Sequence, residues 1–135
     1  MSKPSPGRYV IYHRIQSSSG ERLAITYNGQ NGYPTVNPLT YEDNQIWIIQ
    51  NYNDTTQSIS PASNSNLQCG WGDNAVIVLP PQAYVWIIRN NASGYTIQDG
   101  GQTVYWGLDE AEEKQNVTIK QGEGGIFQSW ILKQV

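Results

Sequence analysis

Apolar and polar residues alternate along this chain in short runs, almost nowhere at helical spacing. Apolar or period-two runs cover Tyr9 to Ile15, Leu23 to Tyr27, Ile46 to Ile49, Val76 to Leu79, Tyr84 to Ile88, Tyr95 to Ile97, Val117 to Ile119 and Trp130 to Leu132. Turn dipeptides punctuate them: Ser19-Gly20, Asn28-Gly29, Asn31-Gly32, Ser93-Gly94 and Asp99-Gly100. Many short strands at such intervals predict an all-β sandwich or barrel. The acidic stretch Asp109 to Glu113 has room for one helical turn, solvated and without a functional role.

The pattern repeats three times. Gln45-Ile46-Trp47, Tyr84-Val85-Trp86 and Gln128-Ser129-Trp130 each precede an apolar pair: Ile48-Ile49, Ile87-Ile88 and Ile131-Leu132. Upstream of each Trp lies a matching strand (Leu23 to Tyr27, Leu67 to Trp71, Val104 to Leu108), then another (Thr35 to Leu39, Val76 to Pro80, Val117 to Gln121). Opening strands are Tyr9 to Ile15, Gln57 to Ser60 and Gly94 to Gln98. Three four-stranded units with pseudo-threefold symmetry are the layout of a β-trefoil. One such unit alone leaves an apolar face in water, so the three close on a shared core. The expected organisation is a single domain over 1–135, with repeats near 8–50, 51–89 and 90–135. Trp47, Trp86 and Trp130 become the core knobs. The Gln two residues earlier shares the strand face of its Trp and reaches a turn backbone beside it.

Composition narrows the functional classes. Five Trp and nine Tyr stand against one Phe and one Met, and only 14% of residues are charged. Such aromatics fill a core with the ring and present a polar edge outside. The formal charge is -3, with eight Lys and Arg scattered singly, which argues against nucleic acid as a partner. Cys69 is the one cysteine, so no intrachain disulfide forms and it reads as a small buried hydrophobe. Residues 1–7 carry no apolar signal region and no run approaches a membrane-spanning length, which predicts a cytoplasmic protein without membrane insertion. The sequons at Asn53, Asn91 and Asn116 are expected by chance in an Asn-rich chain.

The ordered set 7–12 (GRYVIY), 19–27 (SGERLAITY), 69–72 (CGWG), 78–81 (VLPP), 84–86 (YVW), 95–100 (YTIQDG) and 103–106 (TVYW) resembles the ricin-B (QxW) lectins. It is closest to small mushroom β-trefoil lectins that recognise the α1,3-fucosylated chitobiose core of N-glycans. The resemblance implies a carbohydrate-binding protein with no catalytic activity, cofactor or metal, and one sugar site in the middle repeat. Carried over by position, that site comprises Trp71, Leu79, Tyr84, Val85 and Trp86. The implied partners are fucosylated glycans or glycoproteins, engaged multivalently, for instance by a homodimer. The implied role is cytoplasmic defence against animals that eat the fungus. Two departures stand out: the loop Gly72-Asp73-Asn74 is one residue shorter than in those lectins, and Gln82-Ala83 replaces an Asn pair.

The residues point to the same repeat independently. The middle unit breaks the Gln-x-Trp rule with Tyr84, and has Trp71 where its sisters have Tyr27 and Leu108. Extra aromatics suit the apolar C–H face of a pyranose, and the Pro80-Pro81 turn offers rigid backbone groups for its hydroxyls. Each of these residues also has a purely structural reading. Trp86 is a core knob, Trp71 a packing residue at the barrel mouth, Tyr84 a stand-in for the Gln; Trp106, aligned with Ile25 and Cys69, is core. Asp99 offers a secondary, galactose-type reading. The rival function is a β-trefoil protease inhibitor acting through a surface loop, with Arg22, Arg89 or a loop Asn entering the protease. A glycosidase is disfavoured: one His, one Cys and the loop carboxylates Asp109 to Glu113 match no catalytic motif.

Overall fold

The computed structural model describes residues 2–135, whose regular structure is twelve strands and three single turns of 3-10 helix. The first repeat supplies β1 (Gly7–His13), β2 (Leu23–Thr26), β3 (Thr35–Pro38) and β4 (Trp47–Asn51). The middle repeat supplies β5 (Gln57–Pro61), β6 (Gln68–Trp71), β7 (Val76–Leu79) and β8 (Trp86–Asn91). The last supplies β9 (Gly94–Asp99), β10 (Tyr105–Gly107), β11 (Thr118–Lys120) and β12 (Trp130–Gln134). The expected strands are present, with bounds shifted by at most three residues. Asp109 to Glu113 is the exception: it forms bends and a turn, not a helical turn. The 3-10 turns lie instead at Asp43–Gln45, Ala62–Asn64 and Ile126–Gln128.

Six strands close a barrel. β1 pairs with β4, β4 with β5, β5 with β8, β8 with β9, β9 with β12, and β12 returns to β1. Closure removes the unpaired edges that would invite aggregation. The hairpins β2–β3, β6–β7 and β10–β11 cap one end. This is a β-trefoil. Neighbouring caps are joined by equivalent backbone bonds. Val78 N–H donates to Gly32 O (3.0 Å), Ile119 N–H to Asn74 O (2.9 Å), and Val36 N–H to Gln115 O (2.9 Å). The loops reach that geometry through left-handed residues at matching positions, Asn31, Asn74 and Lys114. Asn tolerates this conformation because its short side chain bonds locally.

The three knobs anchor caps to barrel. Trp47, Trp86 and Trp130 are 0%, 2% and 0% exposed. Their Nε1–H groups donate to the carbonyls of Ile25 (2.9 Å), Cys69 (3.0 Å) and Trp106 (3.0 Å), one threefold position on the first cap strand. Each knob also meets another aromatic ring edge-on: Tyr27 against Trp47, Trp106 against Trp86, His13 against Trp130. Such pairs add to area burial. Trp106 itself is fully buried with no partner for its Nε1–H. Its counterparts Ile25 and Cys69 carry no such donor, so the shared core has no acceptor ready for it.

The expected Gln role holds in two repeats. Gln45 Oε1 accepts from Thr40 N–H (2.7 Å) while its Nε2 donates to Pro38 O (3.0 Å). Gln128 Oε1 accepts from Gly124 N–H (3.0 Å).

Trp47→Ala removes both a buried ring and a cap-to-barrel bond. Urea unfolding should show a loss of about 3–5 kcal/mol, and an unchanged midpoint would remove Trp47 from the core.

Candidate functional site

One connection differs between repeats. Val36, Val78 and Ile119 occupy one register, opposite Ile25, Cys69 and Trp106. Five residues later each chain passes a left-handed residue: Tyr41 (φ 63°), Ala83 (φ 60°) and Gly124 (φ 70°). From there the first and last repeats run equally far to their Trp through a 3-10 turn. The middle repeat is three residues shorter and has no such turn. The left-handed residue therefore falls directly before Tyr84. Asn suits that backbone better than alanine does, so the Gln82-Ala83 departure has a conformational consequence as well as the loss of a polar group.

The shortened loop changes what lies on the cap hairpin. In the first repeat Gln45 Nε2 donates to Thr26 Oγ1 (3.2 Å); in the last, Gln128 packs on Gly107. In the middle repeat the ring of Tyr84 lies against Gly70. A Cβ there would stand 3.3 Å from two carbons of that ring and 3.0 Å from Leu79 Cδ1. Glycine at 70 is what makes room for the aromatic. Tyr84 is held by its N–H, which donates to Gln68 Oε1 (3.2 Å).

Next along the strand, Gly72 does the same for a residue the sequence reading missed. Tyr33, from the first repeat, places Cε1 3.1 Å from the Cβ position of Gly72, and Ile77 Cγ2 is equally close. Its only advance signal was the Gly-Trp-Gly pattern, whose two bare positions admit rings. The hairpin's outer side thus carries Tyr84 with Leu79 and Tyr33 with Ile77.

Of the five candidate residues, the structure brings Tyr84 and Leu79 into one patch, with partly buried Val85 next in the chain. Trp71 shares the strand face of its cross-strand partner Val76, not that of Gly70, but lies at the hairpin tip and is 47% exposed. Its counterparts turn inward: Leu108 is buried and Tyr27 packs on the core. Trp86 faces away into the core, with its indole N–H taken, so it can meet a ligand only through its main chain.

The other candidates have structural partners. Asp99 accepts from Thr103 N–H (2.7 Å), Val104 N–H (3.0 Å) and Thr103 Oγ1–H (2.8 Å), stapling its own loop. Burial raises its pKa, but these bonds outweigh burial and hold it below the usual carboxylate value. These three bonds give Asp99 a structural role that needs no sugar ligand. Arg89 lies within β8, its guanidinium donating to Ile88 O and Thr55 O (both 2.8 Å), so it is no inhibitory loop residue. Cys69 is wholly buried and burial drives its thiol pKa far up. Ile15 N–H donates to His13 Nδ1 (3.2 Å), which fits the tautomer whose Nε2–H donates to Phe127 O (3.0 Å). Burial pushes the His13 pKa below 6.5 despite the backbone bonds. Among the described residues, no three His, Cys, Asp or Glu stand close enough to hold a metal ion.

Residues 7–130 match the family model described as CCL2 lectin-like. The chain belongs to the CCL2-like lectin family. Solved structures with the same fold include part of a mosquitocidal holotoxin (TM-score 0.84, 14% identity, 98% of this chain and 18% of that one covered). The chain thus spans under a fifth of that toxin's length. Others are ThreeFoil, a designed threefold-symmetric protein (0.78, 16%, 96% and 99%), and a ricin B-like lectin of Macrolepiota procera in complex with lactose (0.76, 16%, 100% and 100%). At these identities the likeness concerns the fold. No curated protein gives a significant match. Family and fold together make the chain a carbohydrate-binding lectin of the ricin B-like, β-trefoil type.

Two outcomes test the site's construction. Gly70→Ala should leave the far-ultraviolet spectrum native while shifting the Tyr84 ring resonances by NMR; unmoved resonances would contradict the Gly70–Tyr84 contact. His13 binds its proton in the unfolded chain near pH 6.5 but only at lower pH when folded. Stability should therefore fall as pH drops below about 6.5, by at most about 1.4 kcal/mol per pH unit from this group. Urea midpoints of His13→Gln should lack that component; identical slopes in the two proteins would refute it.

Proposed function

We propose that this lectin binds fucosylated, N-acetylglucosamine-containing glycans at the middle cap hairpin, through Trp71, Leu79, Tyr84, Val85 and the main chain at Trp86. The observation that carries the reading is local. In this repeat alone, a three-residue deletion removes the covering 3-10 turn, and an aromatic seated on glycine takes the place of the Gln. The patch is uncharged, which suits a neutral sugar. Aromatic rings offer flat surfaces to pyranose C–H faces, and Tyr hydroxyls and loop backbone groups fix hydroxyl positions. Leu79 and Val85 suit the methyl group of a 6-deoxy sugar or of an acetamido substituent. The α1,3-fucosylated chitobiose core and Lewis-type epitopes contain both groups. Recognition here is binding without bond making.

A shallow site of this kind gives roughly millimolar to micromolar affinity. Avidity from a homodimer facing a glycan-coated surface would then determine the biological effect. A cytoplasmic defence role in a fungus follows from the resemblance to the mushroom lectins.

The test uses an optical asymmetry. Trp71 is exposed while Trp47, Trp86, Trp106 and Trp130 are buried, so a bound glycan should perturb chiefly Trp71 emission. Trp71→Ala should abolish both that signal and the binding of fucosylated chitobiose by calorimetry, with a native far-ultraviolet spectrum. Retained binding would place the site elsewhere.

A further inference from the structure

A cavity of about 470 Å³ opens outside the middle-repeat patch, where β1 runs into the loop before β2 beside β12. It is lined by Tyr12, His13, Arg14, Ile15, Gln16, Arg22 and Ile131. In a chain of net charge -3, this cavity holds two arginines and no carboxylate. Both arginines are exposed, and neither guanidinium makes a salt bridge or a side-chain hydrogen bond among the described residues. Among the described residues, the nearby acids form no ion pair with them. Glu21 forms no ion pair, and Glu112 is held by Ser18 through its N–H (2.9 Å) and hydroxyl (2.7 Å).

Arg22 is positioned before any ligand arrives. Its Cζ lies 5.4 Å from the Tyr12 ring centroid, in cation–π range. That contact leaves its N–H donors free for an oxyanion. Tyr12 and Ile131, paired across β1 and β12, supply an apolar wall, and Gln16 a neutral donor and acceptor. His13, also in the lining, has both ring nitrogens engaged by backbone groups of Ile15 and Phe127.

We infer that this cavity is a subsite for the oxyanion of an acidic saccharide, a sulfate ester or a sugar carboxylate, with Arg14 and Arg22 gripping the charged group. The saccharide part rests on the lectin reading above; the oxyanion part rests on the two arginines alone. The site is separate from the middle repeat, so one chain would engage a neutral and an acidic glycan determinant at once.

Calorimetric titration with a sulfated heparin disaccharide, sialyllactose, neutral lactose and inorganic sulfate tests the assignment. The ligands would be added to the unaltered protein, to the double variant R14Q/R22Q and to W71A. At least one acidic saccharide should bind the unaltered protein and W71A alike. It should lose about tenfold or more in R14Q/R22Q, as expected for charge-assisted hydrogen bonds, and weaken as salt rises. The sulfated and sialylated arms separate the two sources of charge. Fucosylated chitobiose should bind R14Q/R22Q normally, so failure of the middle-repeat reading would show in that arm instead. The inference is overturned if no acidic saccharide binds, or if the double variant binds it unchanged. It is also overturned if lactose or bare sulfate binds as tightly, or if only W71A loses the acidic ligand.

Discussion

Everything else in this protein hangs on three indole N–H bonds. Each runs from a barrel-strand tryptophan to a carbonyl on a cap hairpin, and the three are threefold equivalents with lengths from 2.9 to 3.0 Å. A buried carbonyl with no donor is costly, and a buried tryptophan is among the largest apolar contributors available. One side chain therefore meets both demands at the junction where strand ladders cannot. The dependence is sharpest in the middle repeat. The β6–β7 hairpin shares no ladder with the barrel sheet among the described residues, whereas β2 and β10 pair with β1 and β9. Trp86 and the backbone bonds to Asn31 and Gly32 hold that hairpin in place.

Pseudo-symmetry gives the fold its economy and the site its means of divergence. Three equivalent units close one core, so any one of them can lose a decoration without opening the barrel. The middle unit has lost a 3-10 turn and a Gln–backbone clasp. Its replacement, a tyrosine on a glycine, packs adequately and leaves ring surface outside. The proposed binding surface is what remains when one repeat stops covering its hairpin. The last repeat shows the opposite drift: Trp106 enters the core where Ile25 and Cys69 stand, and its N–H finds no acceptor. An indole inserted into a shared core is tolerated because its ring packs edge-on against Trp86, at 5.0 Å between centroids.

The repeats were legible in the sequence because their physics is local. Strand alternation, Gly and Asn at turns, and a tryptophan at a fixed offset from two upstream strands are properties of short segments. They determined the twelve strands, the three knobs, the glutamine clasps at Gln45 and Gln128, and the oddity of the repeat containing Trp71 and Tyr84. The misjudged helical turn at Asp109 to Glu113 belongs to the same lesson. Its acidic, helix-tolerant composition says little when the segment must bridge two strands through bends and a turn.

Tertiary structure decided what no local pattern holds. It set the Trp86 N–H on the Cys69 carbonyl, because a knob's partner depends on which hairpin lies above it. It brought Tyr33 from the first repeat onto Gly72 of the middle one, through inter-repeat bonds between positions far apart in the chain. It assigned Asp99 and Arg89 to local structural bonds, since a polar side chain's partners are fixed only when the chain has folded. It gathered Arg14 and Arg22 around one cavity with Tyr12. The sequence by itself determined the repeat, its core and the one irregular unit; the way side chains from different repeats share a surface was decided by closure of the barrel, because only closure brings those repeats into contact.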